Sequence, residues 1–223
     1  MSIDLGYVFV ERLDFKKARV VQEELSKRVI VEDKFIFPPK FIAGLDISYK
    51  KGKAVACCVI LDYETLNVTE VRLVKEEVRI PYVPTFLAYR ELPYYVYLCY
   101  DLKNRNDIVV FVDGHGLAHP RKMGIACHLG VTLNIPTVGV AKKILVGKIK
   151  TIDNKKYLAL NDEIIVAVII EREKHSPIYV SPGHRVSLKT AEKLVLRTLT
   201  SKYRLPKPIQ LAHFYSKKES KRI

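Results

Sequence analysis

Two aspartates stand where a carboxylate is costly. In Phe41–Tyr49 the residues Phe, Ala, Leu, Ile and Tyr alternate with Ile42, Gly44, Asp46 and Ser48, so Asp46 projects from the middle of a strand. Asp113 closes Ile108–Val112, a short run of β-branched and aromatic residues that reads as a buried parallel strand. A carboxylate in apolar surroundings needs a charge partner or a metal ion. One such residue alone is served equally well by a salt bridge or a cap. Two together, in a chain with 38 Lys plus Arg against 24 Asp plus Glu, point to divalent cations beside a phosphate backbone. Mg²⁺ is held in this way, by one or two carboxylates plus substrate phosphate.

Asp113-Gly-His-Gly-Leu-Ala-His-Pro-Arg121 gathers a carboxylate, two imidazoles, a guanidinium and two glycines within nine residues. Glycines let the backbone approach a ligand closely. A tight strand–helix turn with locally bonded histidines is the simpler alternative. His115 and His119, four apart, raise the question of zinc, but Gly116 and Pro120 disfavour a helix there and the base glutamate of a zinc protease is missing. In Pro81-Tyr82-Val83-Pro84 two prolines pin an aromatic ring, either as a stiff connection or as a wedge able to enter a base step. The P-loop, Rossmann and nucleophile-elbow glycine patterns are all absent, which disfavours those chemistries.

The elements that must position these groups follow from apolar spacing. Ala18, Val21, Leu25 and Val29 recur at steps of three and four, predicting a helix over Asp14–Val29. The strand holding Asp46 is followed by a Lys51-Gly52 turn and strands at Ala54–Asp62 and Val68–Val78, an antiparallel meander. Helical spacing runs from Thr85 to Glu91, and Pro93 restarts a helix to about Leu102, since proline suits a first turn. After the Asp113 strand come a glycine-rich loop, a helix around Met123–Leu133 and a strand at Pro136–Val140. Further strands are expected near Tyr157–Leu160, Ile164–Ile170 and Ile178–Val180, with a helix capped by Ser187 to Leu199 and a short one over Ile209–Tyr215. A meander followed by strand–helix–strand gives a mixed α/β sheet with helices on its faces, and chemistry at the carboxyl ends of its central strands.

The formal charge of +14 is concentrated in two places. Residues 202–223 carry seven Lys and Arg against Glu219, and 142–156 carries six lysines against Asp153. Such clusters predict a polyanionic partner. At 223 residues with no linker, one domain, 1–223, is expected, with a basic tail at about 216–223. The longest apolar runs, Ala54–Leu61 and Ile164–Ile170, are far below the roughly 18 residues of a membrane span. The first six residues show no signal-peptide pattern. Cys57, Cys58, Cys99 and Cys127 form no Cys-x-x-Cys pair and sit in apolar stretches, which fits thiols in a reducing cytosol. A monomer in the cytoplasm, away from membranes, is the expectation.

Phe41-Ile-Ala-Gly-Leu-Asp46, Pro81-Tyr-Val-Pro-Thr-Phe-Leu-Ala-Tyr-Arg-Glu91, Val112-Asp-Gly-His-Gly-Leu-Ala-His-Pro-Arg121, Pro136-Thr-Val-Gly-Val-Ala-Lys142 and Ser181-Pro-Gly-His184 stand in an order that resembles endonuclease V, the deoxyinosine-specific repair nuclease. The resemblance covers about residues 40–215. It implies an RNase H-like fold with a mixed five-stranded sheet and helices on both faces. It also implies Mg²⁺- or Mn²⁺-dependent hydrolysis of the second phosphodiester 3′ to hypoxanthine. By the same resemblance Asp46, Asp113 and Glu91 are metal ligands, and these three with Lys142 and His213 form the catalytic set. Pro81, Tyr82, Val83 and Pro84 correspond to the strand-separating wedge, while Gly114, Ile125 and Leu145 enclose the flipped base with His119 close by. Thr85 departs from the pattern, standing where the family commonly has glycine or another small residue in the turn from wedge to pocket.

The partner implied is DNA containing deoxyinosine, with inosine in RNA as an alternative main role. Two further readings compete. Another RNase H-like nuclease, acting on junctions or RNA–DNA hybrids, would share the carboxylates but has no use for a wedge. A non-catalytic binding module would place three acidic residues against phosphates to no purpose.

Overall fold

The structure is a computed structural model that describes residues 13–161 and 163–223; the N-terminal residues read above for a leader lie outside them. In chain order the elements are α1 (Phe15–Ser26), β1 (Phe41–Lys50), β2 (Lys53–Asp62), β3 (Val68–Glu77), α2 (Leu87–Cys99), β4 (Ile108–Asp113), α3 (Ile125–Leu133), β5 (Thr137–Ala141), β6 (Lys148–Ile152), β7 (Lys155–Leu160), β8 (Ile164–Arg172), β9 (His175–His184), α4 (Leu188–Thr198) and α5 (Lys207–Ser220). The strands form one mixed sheet in the order β3-β2-β1-β4-β5-β9-β8-β7-β6. β1, β4 and β5 are parallel at its centre and all other pairings are antiparallel.

The fold class is the expected RNase H-like α/β arrangement, but the sheet has nine strands and not five. The five from β3 to β5 make up the mixed sheet that was expected, and β6–β9 extend it as a meander. β6 was hidden in the lysine cluster: Lys148-Ile-Lys-Thr-Ile152 is exposed throughout, so burial left no signature in it.

Period-2 alternation in β1 sends successive residues to opposite faces. Ala43 and Leu45 pack with Tyr95, Leu98, Leu129 and Leu133 beneath α2 and α3. Ile42 packs on the other face with Leu194, Val195, Ile209 and Ala212 of α4 and α5. Helices therefore cover both faces. Gly44 is what lets α5 reach the sheet, since a Cβ there would overlap the backbone of Pro208.

Three local expectations are corrected. α2 runs unbroken through Pro93 instead of ending at Glu91. The proline deprives Tyr89 of a helical hydrogen bond, a cost of about 3 kcal/mol, and the burial of Pro93, Tyr94, Tyr95 and Leu98 against the sheet offsets it. α1 buries Ala18 and Gln22 while Val21 stays exposed, so a polar side chain occupies the face assigned to valine. α5 is longer than Ile209–Tyr215 and carries the basic segment as helix as far as Ser220. All four cysteines are buried thiols. Among the described residues no helix is long and apolar enough to cross a membrane.

Candidate active site

β1 and β4 run side by side with Leu45 opposite Val112, so the next residues, Asp46 and Asp113, come together at the carboxyl ends of the two strands. Asp46 is buried on the α5 side, where its Oδ2 accepts hydrogen bonds from His213 Nδ1 at 3.0 Å and Ser216 Oγ at 3.2 Å. His213 and Ser216 are three apart, one turn of α5, and so present a donor pair to one acceptor. The bond to Asp46 raises the His213 pKa against the opposing effect of burial.

Asp113 receives the Lys142 ammonium on Oδ2 at 2.6 Å. Lys142 follows β5, the next parallel strand, and the guanidinium of Arg204 binds its carbonyl oxygen. Burial, followed by the charge of Asp46, pushes Asp113 well above the usual carboxylate range despite the lysine. For Lys142 burial works against the charge, but Asp113 and Asp46 outweigh it and the pKa ends raised.

Glu91 lies across the sheet on α2, buried. Tyr49 Oη donates to its Oε1 at 2.7 Å and Tyr95 Oη to its Oε2 at 3.3 Å. Burial first, and then the charges of Asp113 and Asp46, push Glu91 up to about 8, with the tyrosine bonds acting in the opposite direction. Electrostatics thus couple Asp46, Asp113 and Glu91 across one strand edge. Among the described residues no three His, Cys, Asp or Glu side chains converge into a preformed cation cage. Tyr49, Tyr95 and Ser216 were not anticipated. Tyr95 was within reach of the sequence, because it stands four residues after Glu91 on one helix face.

Next to this centre lies a cavity of about 220 Å³. Tyr82, Thr85, His115, His119, Ile125 and Leu145 line it, joined by Gln22 of α1 and Met123. Gly114 backs Ile125: a Cβ on it would stand 2.6 Å from Ile125 Cγ2. Tyr82 is 60% exposed at the tip of the Pro81–Pro84 loop, with Pro81 and Pro84 also exposed and Val83 half-buried.

His119 Nδ1 accepts from the Arg121 N–H at 3.2 Å, so its proton sits on Nε2, which donates to the Thr85 carbonyl at 2.9 Å. Both nitrogens are engaged and burial lowers the pKa to about 4, so the ring is neutral and has no lone pair free for zinc.

Thr85 adopts φ +69°, a region that costs a β-branched residue roughly 1–2 kcal/mol. The strain persists because its oxygen atoms are clamped. Arg121 reaches both the carbonyl and the hydroxyl at 2.9 Å, and Gln22 Nε2 reaches the carbonyl at 3.2 Å. Arg121 also holds Gln22 Oε1 at 2.7 Å and lies 4.6 Å over the Phe86 ring. At this position the chain holds a threonine in a guanidinium clamp. Arg121→Ala is accordingly expected to destabilise the protein by about 1–3 kcal/mol, since it strips three buried or half-buried hydrogen bonds. Urea unfolding checks this, and an unchanged midpoint would show that the clamp is dispensable.

Carboxylates at the ends of adjacent parallel strands, with a lysine and a histidine bonded to them on an RNase H-like sheet, define a nuclease. Comparison with known proteins narrows the class. The family model for endonuclease V matches residues 23–214, and the chain belongs to the endonuclease V family. It is an endonuclease. Endonuclease V of Dictyoglomus thermophilum is 41% identical over 220 residues, covering 97% of this chain and 95% of its own length. The crystal structure of endonuclease V from Streptomyces avermitilis superposes with a TM-score of 0.83 at 33% identity, covering 95% of each chain. That of Ciona intestinalis endonuclease V, in complex with a 24mer DNA containing an inosine followed by a ribo-adenosine, superposes at 0.82 and 30% identity, covering 93% of this chain and 98% of that one.

Proposed function

We propose that this chain hydrolyses the second phosphodiester 3′ to deoxyinosine in DNA, as a monomeric single-domain repair enzyme of the cytoplasm that uses Mg²⁺ or Mn²⁺. The observation that carries this reading is the juxtaposition of a half-open cavity, an exposed proline-pinned Tyr82 and a buried carboxylate–lysine centre. An extruded base needs the first, a parted duplex the second and a phosphodiester the third. The Ciona relative, seen with an inosine-containing strand, supports the base.

The donor set fits a hard divalent cation. Asp46 and Asp113 offer anionic oxygens at one point, where mutual repulsion and burial already disfavour two bare charges. Asp46 and Asp113 would hold the ion with substrate phosphate, and Glu91 would add charge from the far side of β1. Bound there, the ion would neutralise charge on the scissile phosphate.

The remaining steps belong to the chain. Lys142, protonated, faces negative charge that grows on the phosphate oxygens. His213 is fixed by the bond from Nδ1 to Asp46, which leaves Nε2 to exchange a proton with the attacking water or the leaving oxygen. His119, with both nitrogens occupied, positions Thr85 and the pocket wall and takes no part in proton transfer. Tyr82 occupies the gap left by the extruded base.

Matched inosine and guanosine oligonucleotides, single- and double-stranded, test the reading with wild type and Tyr82→Ala. Inosine-dependent cleavage at the second 3′ phosphate is expected only with added Mg²⁺ or Mn²⁺. Tyr82→Ala should lose about 5- to 150-fold on duplex, the equivalent of roughly 1–3 kcal/mol of stacking, and less on single strands. Equal cleavage of inosine and guanosine strands would overturn the base assignment. Equal loss on both substrate forms would make Tyr82 a pocket wall and not a wedge. Because the Ciona relative's DNA carries a ribo-adenosine after the inosine, inosine in RNA is the second reading. A ribonucleotide 3′ to inosine that accelerates cleavage would favour it.

A further inference from the structure

α5 has two unlike flanks. Ile209, Ala212, Ser216 and Ser220 are buried beneath it, and Tyr215 and Leu211 pack into the core on one side. Facing away from that buried side stand Lys207, Phe214, Lys217, Lys218 and Lys221, with Lys217 at the edge next to His213. At 100° per residue, positions seven, three and four apart around Phe214 fall on a single stripe. Phe214 is 54% exposed, with its ring against Tyr215 at 5.4 Å. Among the described residues none of these four lysines forms an ion pair, whereas Glu219 lies off the stripe and is neutralised by Arg222 at 2.9 Å. Lys50 and Lys51, from the β1–β2 turn, bind the carbonyl oxygens of Lys221 and Ile223 and add two cations at the end of the helix.

The stripe adjoins the catalytic centre. Lys217 stands one turn beyond His213 on the same helix. The cavity is lined by loop residues such as Tyr82, His115 and Leu145 together with Gln22 of α1, Ala88 of α2 and Ile125 of α3; α2 and α3 pack on one face of the sheet and α5 covers the opposite face. A strand with its base in the cavity and its phosphate at Asp46 and Asp113 has reached the carboxylate that His213 and Ser216 of α5 hold, and α5 is the element that lies beyond it.

We propose that this stripe is the binding track for the strand 3′ of the cleaved bond, with lysines neutralising phosphates and Phe214 stacking on an unpaired base. The proposal rests on the reading of the cavity as the inosine site. Fourteen residues of helix span about 21 Å, room for on the order of six phosphates at 3.4 Å per nucleotide. Base stacking on an exposed aromatic ring is tolerant of sequence, as a track downstream of the lesion requires.

Single-turnover cleavage with Mg²⁺, read as maximal rate and as the enzyme concentration giving half of it, tests the proposal. The substrates are fluorescein-labelled single strands with one deoxyinosine, followed by either three or twelve nucleotides; a second pair shortens the 5′ side instead. Phe214→Ala is expected to raise the half-saturating concentration about tenfold on the long 3′ flank only. Changing Lys207, Lys218 and Lys221 to serine together should lower the salt slope by about 2, at roughly 0.7 for each phosphate contact. Both variants should keep the maximal rate on the short substrate within about twofold, which also reports an intact fold. Wild-type behaviour on the long flank, equal weakening on both lengths, or dependence on the 5′ flank would each overturn the track. Failure of the base reading shows separately, as wild type that cuts guanosine and inosine strands alike.

Discussion

Asp113→Asn is expected to lower single-turnover cleavage of an inosine strand about 10³-fold while leaving affinity for that strand within a few-fold. Asn keeps the shape and an acceptor oxygen but removes the charge that, in the proposed metal site, would draw a cation to the ends of β1 and β4. Charge stabilisation of several kcal/mol at a phosphate corresponds to a factor of this size, at about 1.4 kcal/mol for each tenfold. Affinity is expected to survive because the proposed function places it elsewhere, in the cavity and the lysine clusters. The fold also survives. In the native protein burial and Asp46 disfavour the ionised form of Asp113, so above its raised pKa the charge costs stability and its removal restores some. The variant should unfold at the same temperature as wild type or higher, and that observation separates a chemical defect from a structural one. Asp46→Asn should be equally inactive but less benign to folding, because His213 and Ser216 both donate to Asp46 Oδ2. A tenth or more of wild-type cleavage in either variant would remove the two aspartates from the metal site.

The positions of Asp46 and Asp113 were legible because a carboxylate in a period-2 strand or at the end of an apolar run violates the local pattern, and violations of this kind mark sites. The meander and the parallel centre followed from the same periodicity. What the sequence concealed depends on distant partners. Pro93 looked like a boundary because its local cost is plain, whereas the tyrosines that offset it pack against strands far away in the chain. Gln22 was passed over for Val21, since nothing near residue 22 reveals that Arg121 and Thr85 wait across 63 to 99 positions of chain. Thr85 could be recognised as unusual from the motif alone, but its clamp could not. The four catalytic-set residues other than His213 lie in motif segments whose order is itself informative. His213 lies outside those segments, on a helix whose length was underestimated, and only the bond to Asp46 puts it in the centre.

Lys142→Ala should lower the maximal single-turnover rate by about 10²–10³ and change the half-saturating enzyme concentration little. The ammonium is not an ordinary backbone contact. It is bonded to Asp113 at 2.6 Å and its chain position is fixed by Arg204, so it meets the substrate already oriented. A preorganised cation stabilises charge that develops in the transition state more than charge already present on the bound phosphate, and such groups contribute about 2.7–4 kcal/mol to kcat. The substitution also leaves Asp113 without its counter-charge, which strengthens the negative potential at the centre. Binding of the divalent cation should then tighten, so the Mg²⁺ concentration giving half the maximal rate should fall even as that rate drops. This opposed pair of changes distinguishes a catalytic cation from a phosphate clamp. A clamp would weaken strand binding, steepen the Mg²⁺ requirement and spare the rate at saturation, and Lys142→Arg would then restore affinity. In the arrangement seen here Arg should restore little, because its planar fork cannot reproduce a compact ammonium on Asp113 Oδ2.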